Sequence, residues 1–188
     1  MKKAFYIRTR KPVNEDKGCI GIDKIGGLPT HKPPYFPTYA SGKQEGFLMQ
    51  IYCDKEKFPD FQNILCWQFY QDVNEEDMIT IVEVPIGAEL NVNNEGTIIE
   101  RIKERIIYYE EGLEPDIWEI GADKYSEEEE DLFYSSKIGG AVPDNYIDSE
   151  LEYIGRIYES ICDDYELNFG TAVLELCRDK NGKLIFEE

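Results

Sequence analysis

Residues 97–111 read Thr-Ile-Ile-Glu-Arg-Ile-Lys-Glu-Arg-Ile-Ile-Tyr-Tyr-Glu-Glu, and their period decides the fold class. Ile98, Ile102, Ile106 and Tyr109 recur at spacings of 4, 4 and 3, which predicts a helix with these side chains on one face. Thr97 and Glu100 have the spacing of a capping box, and Gly112 supplies a stop. Around this segment the pattern is that of strands, at 3–8, 47–53, 64–70, 78–84, 172–178 and 183–187. The last two flank Asp179-Lys180-Asn181-Gly182, a hairpin signal with an Asn-Gly turn. A strong helix among many strands predicts an α+β fold dominated by antiparallel sheet.

The chain also repeats itself. Lys24-Ile25-Gly26-Gly27-Leu28-Pro29 returns as Lys137-Ile138-Gly139-Gly140-Ala141-Val142-Pro143, at an offset of 113. Phe47–Tyr52 matches Tyr153–Tyr158 at an offset of 106, and Trp67–Asp72 matches Leu174–Asp179 at 107. Three matches in one order predict two pseudo-symmetric halves, about 4–84 and 120–188, joined by the helix near 97–111 and packed as one domain over 1–188. The match also assigns 152–159 to a strand, although its own pattern fits a helix as well.

Each Gly-Gly pair permits positive φ and a close backbone approach, which suits a tight turn. Beside Lys24 and Lys137 the same turns would cradle an anion. Lys24, Gly26, Gly27, Gln50, Lys137, Gly139 and Gly140 are therefore the candidate turn or ligand site.

Other chemistry is thin. The single histidine, His31, excludes a two-histidine metal site within the chain and is expected in an exposed loop. The five cysteines, Cys19, Cys53, Cys66, Cys162 and Cys177, have no metal or redox spacing and read as reduced thiols. No phosphate-binding loop, dinucleotide fingerprint or nucleophile elbow is present. The expectation is no catalytic residue, no metal, no cofactor and, on balance, no enzyme.

Charge excludes more. With 20 basic and 39 acidic side chains the formal net charge is -19, which disfavours nucleic acid and anionic membrane as partners. No apolar run reaches the roughly 18 residues of a membrane-spanning helix, and the start lacks the apolar stretch of a signal peptide. A cytoplasmic protein is expected. The charge is uneven: residues 1–32 carry eight basic and three acidic side chains, whereas 110–166 carry 19 acids against three bases. The run Glu127, Glu128, Glu129, Glu130 and Asp131 is expected in solvent. With Trp118, Tyr125, Phe133 and Tyr134 as anchors, it is the candidate surface for a basic partner.

Lys-Ile-Gly-Gly-Leu-Pro, the proline-rich run with Pro33, Pro34 and Pro37, Gly46–Ile51 and the aromatic strand ending at Tyr70 together resemble the YwqG-like family of unknown function. The likeness covers about 20–75 and 135–188. Arg156 stands where that family has Gln, and Phe169-Gly170-Thr171 where a Trp-Gly-Asp turn is expected. Some members look like immunity proteins encoded beside secreted bacterial toxins. The resemblance implies a binding protein that neutralises a toxin, and the acidic charge suits a basic, nuclease-like one. The alternative is an enzyme or small-anion-binding protein using the Gly-Gly turns and nearby carboxylates.

Overall fold

The structure, a computed structural model, describes residues 1–17, 19–73, 78–115, 126–142 and 151–187. Its first half holds β1 (Lys2–Arg10), β2 (Lys24–Ile25), β3 (Gly46–Tyr52), β4 (Ile64–Gln71), β5 (Ile79–Pro85) and β6 (Thr97–Ile98). Then come β7 (Arg105–Glu114), α1 (Glu127–Phe133), β8 (Lys137–Gly139), β9 (Glu152–Tyr158), β10 (Val173–Arg178) and β11 (Leu184–Glu187). The strands form one sheet in the order β11-β10-β9-β8-β1-β7-β2-β3-β4-β5, with β6 beside β3. All pairs are antiparallel except β3 with β6.

This corrects the α+β expectation. Among the described residues strand makes up 42% and helix 8%, and the strands form a nearly closed, barrel-like sheet, so the fold is an antiparallel β structure. The helix expected at 97–111 does not form. Ile98 lies in β6 and is exposed, Ile102 closes a turn through its N–H to the Ile99 carbonyl, and Ile106 and Tyr109 belong to β7. The isoleucine spacing spans three separate elements and only imitates a helical face. Arg105, Ile106 and Ile107 are buried in succession, as in a strand covered on both faces. Gly112 stops nothing: it sits within β7 where a Cβ would lie 2.7 Å from the Tyr6 ring.

The order of strands is symmetric about the β1–β7 pair. β2, β3, β4 and β5 run outward from β7 as β8, β9, β10 and β11 run outward from β1. Lys24 pairs with Gln50 and Lys137 with Arg156; Gln50 pairs with Gln68 and Arg156 with Glu175. Both β3 and β9 bulge at the same place, skipping Leu48 and Ile154. Lys24 also pairs with Ile106, and Lys137 with Tyr6, so β7 is the counterpart of β1. The first strand of each half thus crosses to flank the other half, and the pseudo-twofold axis passes the Arg8–Tyr108 pair.

The crossing places the basic start of the chain beside part of its acidic stretch. Lys3 meets Glu111 at 3.2 Å and Arg8 meets Glu110 at 3.0 Å, pairs too exposed to stabilise by much. The sheet's inner face carries one core drawn from both halves, with Ile25, Met49, Ile51 and Phe69 in the first and Ile138, Ile157, Leu174 and Leu176 in the second. Trp67 is wedged edge-on between Phe58 and Phe61, with ring centroids 4.8 and 4.7 Å away. The outer face is covered differently in each half, by the proline-rich segment in the first and by α1 in the second. No helix among the described residues is long and apolar enough to cross a membrane.

Candidate functional site

Alternation along β3 and β9 sends Gln50 and Arg156 to the outer face, because their neighbours face the core. Around Gln50 every polar atom is used. Its amide oxygen accepts from the Thr30 N–H at 3.0 Å, and its Nε2 donates to the Ile22 carbonyl at 3.0 Å and Thr30 Oγ1 at 2.8 Å. Gln50 therefore ties together the two chain segments that enter and leave the first Gly-Gly turn. Gln68 continues the row, donating to the His31 carbonyl at 2.8 Å and accepting from Tyr70 at 2.7 Å.

His31, expected in an exposed loop, is 5% exposed. Its Nδ1 lies 2.9 Å from the Tyr52 hydroxyl, and burial lowers its pKa. Behind it, Asp23 accepts from the Tyr52 N–H and the Tyr109 hydroxyl, both at 2.6 Å. Burial nevertheless pushes the Asp23 carboxyl up to about 6. In the second half Ser136 takes the place of Asp23, accepting from the Tyr158 N–H at 2.9 Å.

The two turns share their backbone. Gly26 and Gly27 have φ of 71° and 74°, and Gly139 and Gly140 have 71° and 82°, all in the left-handed region. Each lysine is already matched by a carboxylate. Lys24 Nζ sits 3.0 Å from Glu104, while Lys137 Nζ holds both oxygens of Glu114 at 2.7 Å and the Phe133 carbonyl at 2.9 Å. The Lys137–Glu114 pair is buried, 0% and 1% exposed, and burial pulls the ammonium down to about 8 against the pull of Glu114.

Arg156 donates to the Tyr158 hydroxyl at 2.9 Å and lies 3.3 Å from Glu175. The second half thus carries a buried row of charges where the first carries amides. Because β2 and β8 run antiparallel with β1 and β7 between them, the two turns point to opposite ends of the sheet. The structure does not bring them together around one ligand.

A cleft of about 570 Å³ opens beside the first turn, over Lys24, Gly27 and Glu104. On the other candidate surface, Glu127, Glu128, Glu130 and Asp131 are exposed, while Glu129 turns back to cap the helix through Ser126. Tyr134 is 55% exposed, but Phe133 is 3% exposed and belongs to the protein's own packing, so it is not available as an anchor. Trp118 and Tyr125 lie outside the described residues.

The cysteines do not supply a nucleophile pair. Burial raises the thiols of Cys53, Cys66 and Cys162, and Cys66 reaches about 12. Reading by residue type missed Asp23, Glu104 and Glu114. Extending the repeat one residue before Lys24 and Lys137 would have found the Asp23–Ser136 correspondence. No sequence signal marked the two glutamates, which come from β7 and the turn before it. Compared with protein-family models, curated proteins and solved structures, the chain has no match.

Proposed function

We propose that the protein acts by binding, its acidic second half docking a basic protein partner. One observation supports this most. The helix α1 is held to the sheet by Phe133, whose ring lies 4.5 Å from Lys137 Nζ and 5.4 Å from the Arg156 guanidinium. That anchorage holds four exposed carboxylates, Glu127, Glu128, Glu130 and Asp131, on one short helix. Near the end of the helix a hollow of about 360 Å³ is lined by Tyr108, Tyr134, Tyr158 and Ser160, together with Arg8 and Asp163. Carboxylates steer a cationic surface, and the tyrosines supply contact area with hydrogen-bonding tips. Neutralisation of a toxin is the form of this reading that the YwqG-like resemblance implies, and a basic, nuclease-like toxin suits the acidic charge of the chain.

The test is affinity purification from source cells with two baits, the wild type and a variant with Glu127, Glu128, Glu129 and Glu130 all changed to Gln. A basic protein retained by the wild type and lost from the variant is expected. Its association with the wild type should be about tenfold faster at low salt than with the variant. Baits that retain the same proteins at the same rates would contradict the proposal.

A further inference from the structure

The segment before each Lys-Ile-Gly-Gly motif is equivalent without a gap. Val13 holds the N-cap position of a single turn over Asn14–Asp16, without a side-chain cap, and Asp16 accepts from its N–H at 2.7 Å; Ser126 holds the same position in α1, capping it through its hydroxyl, and Glu129 accepts from its N–H at 2.9 Å. At this offset of 113, Ile20 corresponds to Phe133, Leu28 to Ala141 and Gly27 to Gly140. In the second half, Phe133 folds down over Lys137 and packs on Ala141. In the first half, Ile20 is 60% exposed; the Lys24 ammonium lies 6.0 Å from the ring of Phe47 on β3, and among the described residues no ring stands over it from the position equivalent to Phe133. The cleft over Lys24 is lined by Gly27 and Leu28, the counterparts of Gly140 and Ala141, and by Ile106, the counterpart of Tyr6.

The sequence explains the difference. Gly18 and Gly21 stand where the second half has Asp131 and Tyr134, and each glycine opposes helix by about 1 kcal/mol, so the turn does not extend far enough to carry residue 20 inward.

We propose that this cleft is a receptor for an aromatic side chain presented by a partner protein, seated over the Lys24 ammonium as Phe133 is seated over Lys137. Electrostatics favours that occupant. The Lys24 side chain, 15% exposed, lines the cleft, and its ammonium attracts the negative face of a ring while Glu104 holds it in place at 3.0 Å. The rim favours a ring carried on a polypeptide over a free one. Leu90, Val92 and Ile98 stand 40%, 77% and 49% exposed around the mouth, where flanking residues of a partner would cover them. The site is separate from the acidic helix and does not depend on its role.

The experiment is a titration of methyl-labelled protein with the capped tripeptide Gly-Phe-Gly, with cyclohexylalanine replacing Phe as the control. The methyls of Ile22, Leu28, Ile98 and Ile106 should shift and saturate, with the phenyl peptide binding roughly two- to fivefold more tightly than the cyclohexyl one. Lys24→Met should remove that preference while leaving both peptides bound. Ile20→Phe should restore the missing ring from within, raise the melting temperature and abolish the shifts. Three results would overturn the proposal: no shift in the cleft methyls, equal affinity for both rings in the wild type, or nuclear Overhauser contacts showing Ile20 packed on Lys24 in the unliganded protein.

Discussion

The two halves share a backbone and differ in what they bury on the outer face. At equivalent positions the first half has Ile20, Asp23, Gln50 and Gln68, and the second has Phe133, Ser136, Arg156 and Glu175. The first half closes its outer face with loop and amide hydrogen bonds and leaves a cleft over its lysine. The second closes it with a ring and buries the ion pairs beneath. Pairing, bulges and left-handed glycines survive this divergence because they depend on backbone geometry. The polar layer changes freely so long as each buried group keeps a partner.

The largest expected effect separates the two lysines. Lys137→Met strands the buried Glu114 carboxylate and should lower stability by about 3–5 kcal/mol. Replacing Glu114 by Leu in that variant should recover a large part of the loss. Lys24→Met removes a pair whose acid is 45% exposed and should cost less than about 1 kcal/mol. Urea denaturation of the variants measures this. Equal losses for the two lysines would break the distinction between an open and a closed half.

The next effect distinguishes Asp23 from Ser136. The folded protein raises the Asp23 carboxyl from 3.8 to about 6, so it binds that proton more tightly than the unfolded chain. Its contribution is most favourable below pH 4, falls as pH rises between about 4 and 6, and is level above, a change of about 3 kcal/mol. Asp23→Asn should remove this slope, so the variant gains on the wild type by that amount between pH 4 and 7. Parallel stability profiles would show that Asp23 is not strained by burial.

The smallest effect concerns α1. Neutralising Glu127–Glu130 should change stability by no more than about 0.5 kcal/mol, since three of these side chains stand in solvent and Glu129 contributes only a cap. A loss of several kcal/mol would make the helix a structural element of the second half rather than a surface.

Much of the sheet was legible in the sequence because strands with one core face alternate, and the repeat resolved residues 152–159 where alternation alone did not. The segment 97–111 was misread because its isoleucines are β-branched residues serving a strand, a turn and a short bridge strand, whose spacing happens to match a helix. Only long-range pairing with β1 and β2 distinguishes these, and no local pattern encodes it. The exposure of Glu127, Glu128 and Glu130 follows from charge alone. The burial of Lys137, Arg156 and Glu114 does not, because each depends on a partner distant in the chain. Phe133 was placed on the surface by its acidic neighbours, yet it is drawn inward by two cations that lie after it in sequence.

The crossing of the first strands is the feature on which the pseudo-symmetry rests, and cross-strand backbone nuclear Overhauser contacts test it directly. The register predicts contacts between Phe5 and Ile138 and between Arg105 and Ile25. Contacts between Phe5 and Ile25 would place β1 within its own half and contradict the fold described.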